Sequence, residues 1–166
     1  GVAMLKKTPA TRDPLDAFLS APEGAVLAVI AGVEGPSYRP VGAMMAVMDA
    51  NSRTGTLSSG CIEVDIALHA MEAAEMGTPR TLRYGRGSPF IDIQLPCGGG
   101  LDILLLPKPD RAVVAQIVNN RTARQPCSLV IDIVTGAMAL HDTGETGRVG
   151  DTLTIRFEPD IRFLIF

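Results

Sequence analysis

The chain has 166 residues, enough for one domain or one domain with a fragment of a second. Hydrophobic residues make up 46% of it and aromatics only 4%, so its core is built from Val, Ile, Leu, Met and Ala. The net charge of −3 and the absence of any basic run argue against nucleic acid as the main partner, because phosphate neutralisation needs clustered Lys and Arg. Three cysteines are too few, and odd in number, for a disulfide framework. No CxxC pair points to structural zinc. Residues 1–7 are not followed by the long apolar stretch of a signal peptide, and the longest apolar runs are strand-sized rather than membrane-spanning. These features together predict a reducing, cytoplasmic setting.

In chain order, residues 13–20 read as a short helix, with Asp13 as cap and Pro14 as the first helical residue. Residues 25–31 (AVLAVIA) are a continuous apolar run between glycines, which predicts a buried strand. A loop rich in turn residues follows over 35–42, then a second strand over 43–48. A turn is predicted over 51–55, with Thr56 and Leu57 closing a short strand. Residues 61–76 carry the clearest helical periodicity, through Ile62, Ile66, Ala70 and Ala73. Gly60 reads as the cap of that helix, Cys61 as its first residue and Glu63 as its third, with Gly77 ending it. Strands are predicted over 80–84, 90–95 and 101–106, and a helix over 110–122. A hairpin around Thr135 and Gly136 joins strands at 128–134 and 137–141; a turn-rich connection then leads to a strand over 152–157.

Residues 161–166 form an apolar run. It reads either as the first strand of a nucleotide-binding βαβ unit or as a last strand of this domain's own sheet. The expected organisation is a cysteine-loop domain over 1–160, with 161–166 opening a Rossmann-like domain. The expected fold class is α/β, a mixed sheet flanked by a few helices. A charged fraction of only 20% leaves apolar surface to be covered by a homodimer or by a further domain.

Two loops carry the chemistry. Each sets a cysteine beside glycine: Ser58-Ser59-Gly60-Cys61-Ile62-Glu63 and Leu95-Pro96-Cys97-Gly98-Gly99-Gly100. Glycine lets a ligand approach backbone and sulfur together. A thiol at a helix N-terminus is stabilised as thiolate, and the free amides there attract anions. Successive glycines after Cys97 can form a nest of N–H donors. Cys61 and Cys97 are therefore candidate metal ligands, and Gly60, Gly98 and Gly99 candidate ligand contacts. Glu63 reads equally as a proton acceptor or ligand and as a partner of the helix dipole. Arg39, Arg83 and Arg86 sit in or beside loops and suit a phosphate. Tyr38 suits stacking on a ring or capping the core. Against all this stands the bland reading: lone cysteines are mostly small core residues, and glycine runs are often tight turns. Cys127, with no glycine beside it, reads as core. His69, four residues after Asp65, reads as a solvated ion pair, and His141 as surface.

The ordered motifs from residues 35–45 (GPSYRPVGAMM) through 58–63, Arg83-Tyr84-Gly85 and 95–99 (LPCGG) resemble the XdhC/CoxI family. These are maturation factors of xanthine dehydrogenase and carbon monoxide dehydrogenase. The resemblance implies a chaperone that binds and protects molybdenum cofactor (molybdopterin) and takes part with a cysteine desulfurase in its sulfuration. The implied client is an apo-enzyme of the xanthine dehydrogenase class. It implies a site containing Cys61 and Cys97, completed by Glu63 and the glycines, with Arg39 on the cofactor phosphate. A nucleotide is implied only for a C-terminal Rossmann-like domain. One position departs from the pattern: Ser59 stands where the family motif leads one to expect glycine. Residues 108–160 match no pattern of the family. Two other functions fit the residues alone: a thiol-dependent oxidoreductase or sulfur transferase using Cys61, and a plain interaction module.

Overall fold

The computed structural model describes residues 13–60, 62–89, 95 and 98–159. Along the chain run α1 (Pro14–Ser20), β1 (Val26–Glu34), β2 (Met44–Asp49), β3 (Ser52–Thr54), α2 (Glu63–Met76), β4 (Arg80–Gly85), β5 (Gly100–Leu106) and α3 (Arg111–Thr122). Four further strands follow: β6 (Cys127–Asp132), β7 (Met138–His141), β8 (Gly147–Val149) and β9 (Thr152–Phe157). The α/β class holds, but there are two sheets where one was expected. The first has the order β3-β2-β1-β5-β4 and the second β7-β6-β9-β8. Every pairing among the described residues is antiparallel.

The helix ends that carry strong signals sit where those signals put them. Asp13 caps α1 by accepting from the N–H groups of Leu15 and Asp16, and Asp110 caps α3 through Ala112 and Val113. Gly77 ends α2 in the left-handed conformation, φ 72°. Two expectations need correction. Helix α2 begins at Glu63 with Ile62 as its N-cap, two residues later than predicted. Gly60 (φ 101°) and Ser59 (φ 56°) adopt left-handed backbone that a helix cannot use as its cap. The strand expected to end at Thr56 and Leu57 is instead β3, in the segment read as a turn. The Leu57 N–H is taken by Glu63 and the Thr56 carbonyl by Arg39, so neither group joins a ladder.

The first sheet lies between two layers. Val26, Ala28 and Ile30 of β1 face α2, in a cluster with Met45, Val47, Tyr84, Ile103 and Leu105. Leu27, Val29 and Ala31 face the other way, toward α1, α3 and the second sheet. A strand covered on both faces must be apolar throughout, hence the unbroken run at 25–31. The second sheet adds Leu129, Ile131, Leu153 and Ile155 to this other core, and Cys127 is buried there as a free thiol. This assigns the stretch with no family pattern a structural place. The strand expected over 90–94 and the apolar run at 161–166 lie outside the described residues; Leu95 is buried and is not part of a strand. Among the described residues no helix is long and apolar enough to cross a membrane.

Candidate functional site

Antiparallel order decides where the motif loops emerge. Glu34 at the end of β1 pairs with Gly100 at the start of β5, and Gly100 pairs with Gly85 at the end of β4. Met44 at the start of β2 pairs with Val29, and Thr54 at the end of β3 pairs with Ala46. The segments 35–43, 55–62 and 86–99 therefore all start and finish, where they meet a strand, at the same end of the first sheet. Cys61 lies in the second of these and Cys97 in the third. The two cysteines themselves are outside the described residues; their neighbours Gly60, Ile62, Leu95 and Gly98 are placed.

Glu63 organises the second loop. One carboxylate oxygen, Oε2, accepts from Thr56 Oγ1 at 2.6 Å and from the N–H groups of Leu57 and Ser58 at 2.9 Å each. The other, Oε1, accepts from Ser58 Oγ at 2.6 Å, Gly60 N–H at 3.0 Å and Ile62 N–H at 3.3 Å. Burial by itself raises the pKa of such a group. The hydrogen bonds from Ser58, Thr56 and the backbone outweigh it and lower the pKa to about 2. Glu63 is the first residue of α2, and its side chain curls back over the loop that precedes it. Its contacts are those of a positioning residue that sets the backbone on both sides of Cys61.

The third loop is held by backbone. Gly98 N–H donates to the Leu95 carbonyl at 3.0 Å, and Arg86 N–H to the Gly99 carbonyl at 3.1 Å. A Cβ on Gly99 would collide with the carbonyl oxygens of Pro36 and Glu34, so glycine here serves close packing of the first loop on the third. Gly60 and Gly98 differ: a Cβ on either would meet nothing within 4 Å. Arg83 is drawn into the scaffold, bonding Glu34, Asp102 and the Arg86 carbonyl.

Three links join the loops. Arg39 Nη1 donates to the Thr56 carbonyl at 2.8 Å, tying the first loop to the second. Tyr84, at the end of β4, donates its hydroxyl to Asp65 in the first turn of α2. Burial first, and that bond to a carboxylate second, push the Tyr84 hydroxyl pKa far above its usual value. Ile62, beside Cys61, and Leu95, two residues before Cys97, belong to the same buried cluster with Leu57 and Tyr84.

The remaining candidates fall as follows. His69 lies 3.4 Å from Asp65, its expected partner, and 3.6 Å from Glu72, but its side chain is largely buried rather than solvated; His141 is exposed. Tyr38 is 62% exposed and does not cap the core. Among the described residues no group of three His, Cys, Asp or Glu could hold a metal. Sequence reasoning missed the roles of Thr56, Ser58 and Tyr84. The separation of Gly60 and Glu63, that of the acidic half of a capping box, was the one signal for the loop.

The sequence model of the XdhC and CoxI family matches residues 18–85. The chain is 33% identical over 156 residues to the molybdenum cofactor insertion chaperone PaoD of Escherichia coli (strain K12), covering 93% of this chain and 49% of that protein. Over 52 residues it is 50% identical to a "Probable xanthine dehydrogenase" subunit of Bacillus subtilis (strain 168), covering 31% of this chain and 16% of that one. A crystal structure of a xanthine dehydrogenase from Bacillus halodurans has the same fold, with a TM-score of 0.70 at 23% identity, over 87% of this chain and 52% of that one. The chain thus spans about half the length of the Escherichia coli and Bacillus halodurans proteins. Over residues 18–85, which hold the first and second motif loops, the chain is thus similar to the XdhC and CoxI family.

Proposed function

We propose that this chain receives molybdenum cofactor as cargo, shields it, supports its sulfuration and passes it to an apo-enzyme of the xanthine dehydrogenase class. Cys61 and Cys97 grip the cargo from two loops. Thiolates suit a soft, sulfur-rich molybdenum dithiolene centre. Gly60 and Gly98 leave the approach to both loops open, Glu63 fixes the second loop, and Arg39 takes the cofactor phosphate. A cysteine desulfurase is the sulfur source, in a reducing cytoplasmic setting where thiols stay free. A homodimer, or a nucleotide-binding domain opened by residues 161–166, covers the remaining apolar surface in this reading.

The observation that carries the reading is the emergence of both cysteine loops from one end of one sheet, with Ile62 and Leu95 in one cluster. Similarity to a cofactor insertion chaperone over 93% of the chain supports the choice of cargo. The test is the molybdenum and pterin content of protein purified from a cofactor-producing host. The wild-type protein is expected to carry both, and Cys61→Ala and Cys97→Ala to lose them. Undiminished content in both variants overturns the proposal.

A further inference from the structure

We propose that a cavity on the face of the first sheet opposite α2 is a subsite for a phosphate monoester. It encloses about 320 Å³ between the first turn of α1, the start of β2 and the end of β9, at the lower end of the range of small-molecule pockets and enough for a phosphate with a small ring. Its walls are apolar at Leu15, Met44 and Phe157, and two arginines, Arg39 and Arg121, line it.

The charge balance favours an anion. Arg39 and Arg121 stand against one carboxylate, Asp13. That carboxylate is already committed: one oxygen caps α1 and the other pairs with Arg121 at 2.8 Å. Among the described residues the Arg39 side chain makes one hydrogen bond, to Thr56, and the Arg121 side chain one ion pair, to Asp13. A guanidinium has five N–H donors in a planar fork suited to phosphate oxygens. Both forks thus keep donors for a dianion, while the apolar walls accept the organic part of the ester. The cavity also communicates with the Cys61 loop. Thr56 lines it, accepts from Arg39 through its carbonyl, and donates through its hydroxyl to Glu63.

The physiological occupant, the phosphate-bearing end of the cofactor, rests on the function proposed above; the subsite itself does not. Phenyl phosphate is the probe, titrated into the full isotope-labelled chain by NMR. Amide shifts are expected at Gly42, Met44, Thr56 and Phe157, with affinity weakened about tenfold or more in Arg39→Gln and in Arg121→Gln. Arg121 is exposed, so its variant tests the site without disturbing the loop that Arg39 ties down. No shifts at these amides, equal shifts with phenol, or undiminished affinity in both variants overturns the subsite. Cofactor content of the same variants separates the two proposals. Full content in both, with phenyl phosphate binding lost, overturns the assignment of this cavity to the cofactor and leaves the cofactor function standing. A wild-type protein that binds phenyl phosphate here yet never holds cofactor overturns the cofactor function and supports the subsite.

Discussion

Glu63 is 3% exposed and ionised, a combination that survives only because its two oxygens are surrounded by donors. Its folded pKa of about 2 lies below the ordinary 4.5. A depressed folded pKa adds stability that is fully present above the unfolded value and is lost as pH falls through the folded one. That difference corresponds to roughly 3 kcal/mol. Glu63→Gln is accordingly expected to cost roughly 3 kcal/mol at neutral pH, and the gap between variant and wild type to close as pH falls from 4.5 toward 2. Denaturant titrations of both proteins across that range check it; a gap independent of pH contradicts the ionised hub. Ser59 presents the opposite case. Its φ of 56° is one that a side chain resists by about 1–2 kcal/mol, and glycine removes the cost while loosening the unfolded chain. Ser59→Gly is expected to raise stability by about 0.5–1 kcal/mol, measured as a higher denaturation midpoint. The departure at Ser59 is visible in the sequence as a change in loop freedom. The hub at Glu63 is not, because its donors Thr56 and Ser58 lie seven and five residues away across an irregular loop, where no periodicity operates.

At the scale of elements, legibility follows punctuation. Asp13-Pro14, Gly77 and Asp110 mark helix ends by local chemistry, and the structure ends its helices there. The start of α2 is harder to read because Gly60 looks like a cap but has a backbone that only a turn accepts. Strand β8 leaves no trace in the sequence because three residues, none of them buried, carry no apolar pattern. Helix α2 also shows what its sequence is for. Ala67, Ala70 and Ala73 are fully buried, so the helix backbone rides close to the first sheet. Ala70→Leu overfills that contact and is expected to cost about 1–3 kcal/mol. Because α2 carries Glu63 at its first position, displacing the helix also disturbs the Cys61 loop. Cofactor content is expected to fall alongside the denaturation midpoint in this variant. Stability lost with content retained would separate the helix from the site.

At the scale of the whole molecule, the layering is beyond reach of the sequence. A run such as AVLAVIA announces burial on both faces but not what covers each one. The second sheet supplies part of one core: Leu129, Ile131, Leu153 and Ile155 pack in the same cluster as Leu27, Val29 and Leu104 of the first. Two sheets that share a core cannot melt separately without exposing that shared surface, so unfolding is expected to be one cooperative step. Leu129→Ala tests this, with an expected cost of about 2–5 kcal/mol. The chain has no Trp and two Tyr. Tyr84 is fully buried in the cluster under α2, on the far side of the first sheet from Leu129, whereas Tyr38 is largely exposed. The near-UV circular dichroism of Tyr84 thus reports on one core while the mutation weakens the other. A single midpoint, lowered equally by near-UV and far-UV signals, is the outcome of a shared core. A Tyr84 transition that stays at its wild-type midpoint would make the second sheet an independent unit, and the loops at the end of the first sheet would not depend on it.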